Sequence, residues 1–316
     1  MSNKRLIIRH GLRIILFFVA TICGMKMACS SVPPETGQLL QPDITPVIAT
    51  RPTLKVMTLN LAHGRTDGLN QLLISKAVIR SNLAEIAVFL DRTGADVVAL
   101  QEADAPSLWS GRFDHVALLA EQAGYPVFES SNQATSWFFS YGTALLSRVG
   151  LSGVQHYTFR PSPPTMSKGY TLGQIMWRPH AGEPVPVDIV SVHLDFSRKS
   201  VREQQTAELG ETLAGRGNPM IIMGDFNSDW SADEEVVRAL AERTGLHVYQ
   251  PEAEDFSTYR SSARRFDWIL ISKQLEFVSF EVMPDVLSDH FAVVAEIAMK
   301  QQGETGGALY GDAQLH

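Results

Sequence analysis

Cysteine is nearly absent: Cys23 and Cys29 are the only two, and both lie close to the N-terminus. The body that follows therefore has no disulfide, no Cys-ligated zinc and no thiol nucleophile. Basic residues are scarce as well. Residues 1–28 carry five Lys/Arg and no Asp/Glu, which leaves 22 basic against 34 acidic side chains in the remainder, a formal net charge of −12. Such a body is a poor electrostatic partner for polyanions. No repeat of fixed period is visible, which removes solenoids. The apolar run Ile14 to Cys23 is shorter than the about 20 residues of a membrane-spanning helix.

What is present is globular: 316 residues, 45% hydrophobic and 19% charged, enough for one large α/β core or two small ones. Lys4, Arg5, Arg9 and Arg13 ahead of Ile14–Cys23 read as an export signal over residues 1–28, with an uncleaved anchor helix as the plainer alternative. Met27-Ala28-Cys29-Ser30 resembles a bacterial lipoprotein processing site with Cys29 as the acylated residue. Lys26 stands where that motif usually has Leu, and ordinary cleavage near Ser30 is the alternative. Residues 29–52 hold five prolines and read as an extended tether. The expectation is an exported protein anchored to a membrane on the extracytoplasmic side, periplasmic or cell-surface, with its folded body over 53–300. Residues 301–316, with four glycines, read as a disordered tail.

Within the body, period-two alternation predicts a strand at Thr53–Leu61, short buried runs predict strands at Asp96–Leu100 and Met220–Met223, and Thr143–Ser147, Asp267–Ser272 and Ala292–Ala298 read as further strands. Tyr170–Trp177 and Val185–Leu194 read as a hairpin-like pair around Gly182. Helical spacing marks Leu72–Leu90, stopped near Gly94, then Val116–Gln122, Ser200–Leu213 and Asp233–Arg243. Strands outnumber helices, so the pattern fits layered α/β with mixed sheets.

Asn60, Glu102, His193, Asp225, Asn227, Asp267, Asp289 and His290 all fall where strands end, the place where open α/β sheets carry their sites. Taken singly, each reads equally well as a turn former, a helix cap or a solvated loop residue. Together, in the segments MTLNLAHG, VVALQEAD, YGTALLSR, VSVHLDF, IIMGDFNSDW, RRFDWILIS and LSDHFAVV, they resemble the endonuclease/exonuclease/phosphatase superfamily from about Leu54 to Ala298. That resemblance implies a four-layer α/β sandwich, two packed mixed β-sheets flanked by helices, and a Mg²⁺-dependent hydrolase of phosphoesters, with Mn²⁺ as a substitute. AHGR, FDHVALLA and HLDFSRKSVREQQ look like the branch fused to lipid-anchor remodelling proteins, with bacterial sphingomyelinases as more distant cousins. This moves the expected substrate toward membrane phosphoesters.

Phosphate esters resist hydrolysis because their own charge repels the nucleophile, so a catalyst must neutralise charge and align a water in line with the leaving oxygen. Glu102 is the expected Mg²⁺ ligand, with Asn60 completing the shell through its amide oxygen or a water. The resemblance implies that Asp225 deprotonates the attacking water and that Asn227 holds water or phosphate, an Asx-turn being the local alternative for Asn227. His193 and His290 suit a phosphoryl oxygen as imidazolium. The family implies that Asp267 supports His193, while Asp289 either supports His290 or completes a second metal position.

His63, Arg65 and Lys168 are candidate substrate contacts in loops that would equally be solvated. Trp137, Phe138, Phe139 and Tyr141 line a pocket or pack the core. Two rival readings stand beside a monomeric phosphodiesterase: a nuclease, and a non-catalytic binding module. The second is disfavoured because no core position of the pattern is substituted.

Overall fold

The computed structural model describes residues 47–300 except 67, 69–72, 231–234 and 263. The export segment, Cys29, most of the tether and the tail lie outside the described residues. So does the start of the helix expected from Asp233.

The elements in chain order are β1 (Ala49–Thr50), β2 (Thr53–Asn60), α1 (Lys76–Thr93), β3 (Val97–Asp104), α2 (His115–Gln122), β4 (Val127–Thr135), β5 (Ser140–Ser147) and β6 (Ser152–Thr158). They continue with β7 (Gly169–Arg178), β8 (Val185–His193), α3 (Lys199–Leu213), β9 (Met220–Asp225), α4 (Val236–Thr244), β10 (Leu246–Val248), β11 (Asp267–Ser272), β12 (Leu275–Val282) and β13 (Val293–Met299). One sheet runs β1-β7-β8-β9-β11-β10, with β6 also on β7; the other runs β12-β13-β2-β3-β5-β4. Both are mixed, with β2–β3, β8–β9 and β1–β7 parallel and the other pairs antiparallel.

The layering follows from strand periodicity, since successive side chains point to opposite faces. In β3, Val97 and Ala99 join one buried cluster while Val98 and Leu100 join another; in β9, Ile221 and Met223 part from Met220 and Ile222 in the same way. The shared cluster, with Leu54, Val56, Ile189, Ile269 and Ile271, fills the space between the sheets. The outer face of the β2–β3–β5 sheet packs on α1 and α2 through Leu83, Ile86, Leu90, Val116 and Leu119. The outer face of the β8–β9–β11 sheet packs on α3 and α4 through Leu209, Leu213, Val237 and Leu240. Two mixed sheets flanked by four helices form the expected α/β sandwich. Central strands buried on both faces read as continuous apolar runs, which is why they were legible.

Helix ends follow local chemistry. Ser75 caps α1 by accepting from the Val78 N–H, so the helix starts at Lys76 rather than Leu72, and Gly94 closes it in the left-handed region. Five strands escape the sequence pattern: the short β1 and β10, and the longer β4, β6 and β12. Each of the longer three is an edge strand with many exposed polar positions, as edges that avoid aggregation require. The tether boundary also moves. Ala49 is buried and pairs in parallel with Trp177, and the Arg51 carbonyl accepts from Trp177 Nε1 at 2.8 Å, so the folded body begins before residue 53. Among the described residues, no helix is long and apolar enough to cross a membrane.

Candidate active site

The site continues the layer between the sheets past its apolar floor. Ile189, Met223 and Ile269 face the opposite sheet, so by alternation His193, Asp225 and Asp267 face it too. They stand in one row, with Gly169 opposite His193, His193 opposite Asp225, and Asp225 opposite Asp267. From the other sheet, Leu54 and Val56 face inward, and Asn60 extends the same face of β2. Below this level, Thr58 Oγ1 donates to Gln101 Oε1 at 3.2 Å, and Gln101 Nε2 donates to Ser191 Oγ at 3.2 Å, a buried polar rung that ties the sheets.

Glu102 needs more than alternation. The even-numbered residues of β3, Val98 and Leu100, face α1 and α2, and an unbroken strand would send Glu102 after them. Instead the β3–β5 register shifts between Leu100 and Ala103, and Glu102 adopts φ 48°. Such a bulge re-aims a side chain. The strand does not end at Glu102, as the sequence pattern implied, but runs on to Asp104.

Asp225 is the hub. Asn60 Nδ2 donates to Asp225 Oδ2 at 2.9 Å, and the Asn227 backbone N–H donates to Oδ1 at 2.9 Å. His193 Nε2 and His290 Nε2 lie 3.4 and 3.8 Å from Oδ2. Asp267 Oδ2 accepts from His290 Nδ1 at 2.8 Å. Thr258 Oγ1 accepts the backbone N–H groups of Phe266 and Asp267, and Tyr259 bridges to His290.

Several expected roles change. Asp267 supports His290, not His193, because β9 separates β8 from β11 and puts Asp225 between them. His193 instead meets Lys168 Nζ, 3.3 Å from Nδ1 and 3.1 Å from Nε2. Burial and the Lys168 ammonium hold its pKa well below the ordinary value, so His193 is a neutral imidazole rather than an imidazolium. Asn60 Oδ1 accepts from the Ala62 N–H at 2.9 Å, so both ends of the amide are engaged, and through Nδ2 Asn60 orients Asp225. Asp225 forms the Asx-turn by accepting from the Asn227 N–H, and Asn227 Nδ2 donates to the Leu194 carbonyl at 3.1 Å. Asp289 pairs with Arg65, and its charge also favours the protonated form of the neighbouring His290.

His63, Arg65 and Lys168 are all brought to the site. His63 Nε2 lies 3.3 Å from Glu102 Oε2, and Lys168 Nζ 4.0 Å from Oε1. Lys168 is only 5% exposed. Of the aromatic group, Tyr141 is buried against the His63 ring at 4.6 Å and Trp137 is 85% exposed, so it splits between core and mouth. Asp104 and His115, fully buried behind His63, went unseen in the sequence; the acidic pair at 102 and 104 was the only signal.

Electrostatics separate the groups. Burial pushes the Asp225 carboxyl up to about 6, with Asp267 adding to this and His290 opposing it. Burial disfavours a charged His290, but Asp267 and Asp225 outweigh it and push its pKa up to about 10. Burial likewise works against an ionised Glu102, yet His63 and Lys168 beside it hold its carboxyl well below the usual range. At neutral pH the row therefore offers a carboxylate base close to its titration point and a charged imidazolium donor, the pairing that general acid–base chemistry asks for.

Residues 57–290 match the profile described as Endonuclease/Exonuclease/phosphatase family. The chain belongs to that family. The family's fold is shared by solved structures. One is an endonuclease/exonuclease/phosphatase from Beutenbergia cavernae, 18% identical, TM-score 0.64, covering 79% of this chain and 72% of that one. A second is the human Nocturnin catalytic domain with a bound sulfate anion, 19% identical, TM-score 0.57, covering 80% and 97%. A third is a mannosyl-6-phosphatase from Bacteroides thetaiotaomicron, 15% identical, TM-score 0.55, covering 78% and 100%. No curated protein matches the chain significantly. Members of the endonuclease/exonuclease/phosphatase family are hydrolases of phosphoester bonds that use a divalent metal.

Among the described residues, two places offer metal donors. Asp225, Asp267 and His290 each bring a ligand atom within 4.8 Å of the others, and buried Asp267 Oδ1 has no hydrogen-bond partner. These three side chains are already tied to one another within the row, His290 Nδ1 donating to Asp267 Oδ2 at 2.8 Å. Glu102 fits better: a hard-oxygen carboxylate held ionised and 20% exposed, suited to an ion that takes one or two carboxylates, waters and a substrate phosphate.

Proposed function

We propose that the chain is a Mg²⁺-dependent phosphodiesterase that hydrolyses a lipid headgroup or similar small phosphodiester at a membrane surface. The observation that carries the chemistry is the placement of Asp225, raised to about 6, within 4 Å of His290, raised to about 10. Asp225, aimed by Asn60 and the Asn227 N–H, takes the proton of a water as that water attacks phosphorus in line with the leaving oxygen. His290, fixed by Asp267, donates to a phosphoryl oxygen as its charge develops. Neutral His193 orients toward the same carboxylate, and Lys168 adds positive charge. Mg²⁺ at Glu102 would supply further charge neutralisation on the phosphate.

Two observations support a membrane lipid over nucleic acid. The remainder after residue 28 is acidic, at −12, whereas nucleic-acid enzymes gain affinity by placing Lys/Arg on successive phosphates. In addition, large apolar side chains stand exposed on loops: Leu73 follows His63 and Arg65, Met166 precedes Lys168 and Phe196 follows His193, while Leu108 and Trp137 stand on the connections after β3 and β4. Large apolar side chains left exposed on loops beside a site suit contact with an apolar surface. The same proposal places the protein on the extracytoplasmic side of a membrane through its N-terminal tether.

The test compares kcat/KM on phospholipid vesicles and on DNA across a salt series. The expected result is lipid turnover with a shallow salt dependence. Efficient DNA cleavage with a log-log slope of about −0.9 per phosphate contact and no lipid turnover would establish a nuclease instead.

A further inference from the structure

The segment between Asn60 and Arg65 is strained. Ala62, His63 and Gly64 have φ of 44°, 57° and 72°, three consecutive residues in the left-handed region. For a non-glycine residue this conformation is costly, and it persists only where the surroundings over-determine it. They do so here. Ala62 N–H donates to Asn60 Oδ1, Gly64 N–H to the Leu61 carbonyl at 2.8 Å, and Asn82 Nδ2 to the Gly64 carbonyl at 2.8 Å.

The turn delivers His63 between two carboxylates. Its Nδ1–H donates to Asp104 Oδ1 at 3.1 Å, and its Nε2 lies 3.3 Å from Glu102 Oε2. The ring is wedged edge-on by Tyr141 at 4.6 Å and Trp109 at 5.4 Å. Asp104 is fully buried, and its other oxygen lies 3.6 Å from His115 Nδ1. Glu102 is itself held at φ 48° by the register shift, so two strained backbone positions meet at one imidazole. A solvated loop histidine has no use for this arrangement.

We infer that His63 is a positioning residue for Glu102: Asp104 fixes the imidazole through Nδ1, and Nε2 holds Glu102 Oε2, which makes Oε1, 4.0 Å from Lys168 Nζ, the oxygen available to a divalent cation. This rests on the proposed metal role of Glu102. Outer partners that orient a metal ligand typically change affinity by about 10–100-fold when removed. His63 acts through Glu102 and touches no reacting atom.

The two ring nitrogens are separable by substitution. An Asn amide reaches about where Nδ1 sits and tolerates positive φ well, whereas a Gln amide reaches about where Nε2 sits and is less suited to that backbone. Backbone strain alone therefore favours Asn, and the Glu102 contact favours Gln. The experiment titrates the purified, chelator-stripped full chain with Mn²⁺ and reads Kd from the free-Mn²⁺ electron paramagnetic resonance signal, with a thermal melt on each variant. His63→Asn is expected to raise Kd about 10–100-fold while melting near wild type. His63→Gln is expected to bind more tightly than His63→Asn although it melts lower. Asp104→Asn, which leaves Glu102 and His63 in place, is expected to weaken Mn²⁺ as well. Equal Kd in the two His63 variants, or wild-type Kd in Asp104→Asn, overturns the role. Wild-type protein that binds no Mn²⁺ overturns the metal centre itself, a different result from either.

Discussion

At the residue scale, activity depends on two groups of opposite requirement. Asp225 must be ionised to accept a proton, and burial raises it to about 6; His290 must be protonated to donate, and its two carboxylate neighbours raise it to about 10. Activity should thus fall as pH drops through about 6, where Asp225 gains a proton, and fall again as pH rises through about 10, where His290 loses one. A kcat/KM profile over pH 4–11 with limbs near about 6 and about 10 checks this; a flat acid side would show that Asp225 is not the base. Asp225→Asn keeps the shape and the Asn60 contact but cannot take a proton, so kcat should drop by at least about 10²-fold with little change in melting. His290→Ala removes the charged donor and should cost about 10²–10³-fold. Near-normal turnover in Asp225→Asn would refute the mechanism.

At the element scale, the geometry hangs on the β8–β9 ladder, and Gly224 sets how closely those strands approach. A Cβ at Gly224 would sit 1.9 Å from the Val192 carbonyl oxygen and 2.8 Å from its carbon. Both are backbone atoms in a paired strand, so neither can swing aside. Gly224→Ala must therefore part β8 from β9 beside the His193–Asp225 pair. Overpacking of this kind costs about 1–3 kcal/mol, and about 2–4 °C of melting temperature per kcal/mol in a chain of this size. Melting temperature and kcat should fall together, and a wild-type melt with wild-type kcat would show that the strands tolerate the methyl. The bulge in β3 works at this scale too, because it alone turns Glu102 from the helical layer to the site.

At the scale of the whole molecule, the folded body and its N-terminal segment make separate contributions. If Cys29 is acylated and anchors the chain, Cys29→Ser should release protein to the soluble fraction at unchanged specific activity, since the described fold begins well after it. Fractionation of cells expressing each form, with an activity assay on both fractions, checks this. Protein that stays membrane-bound after the substitution would put the anchor in the apolar run Ile14–Cys23 instead.

The sequence by itself determined the layers and the row. A short continuous apolar run is a local property of a strand buried on both faces, so β2, β3, β8, β9 and β11 could be read from runs such as MIIM and DWILI, and the residues ending them could be named. Tertiary structure decided the partnerships. Whether Asp267 meets His193 or His290 depends on which strand lies between them, and that order is settled by packing among residues far apart in the chain. The same holds for the bulge at Glu102, the engagement of both ends of Asn60, and the burial of Lys168 against His193. Edge strands β4, β6 and β12 stayed hidden because an exposed edge must be polar to remain soluble, which erases the apolar signal by which strands are recognised.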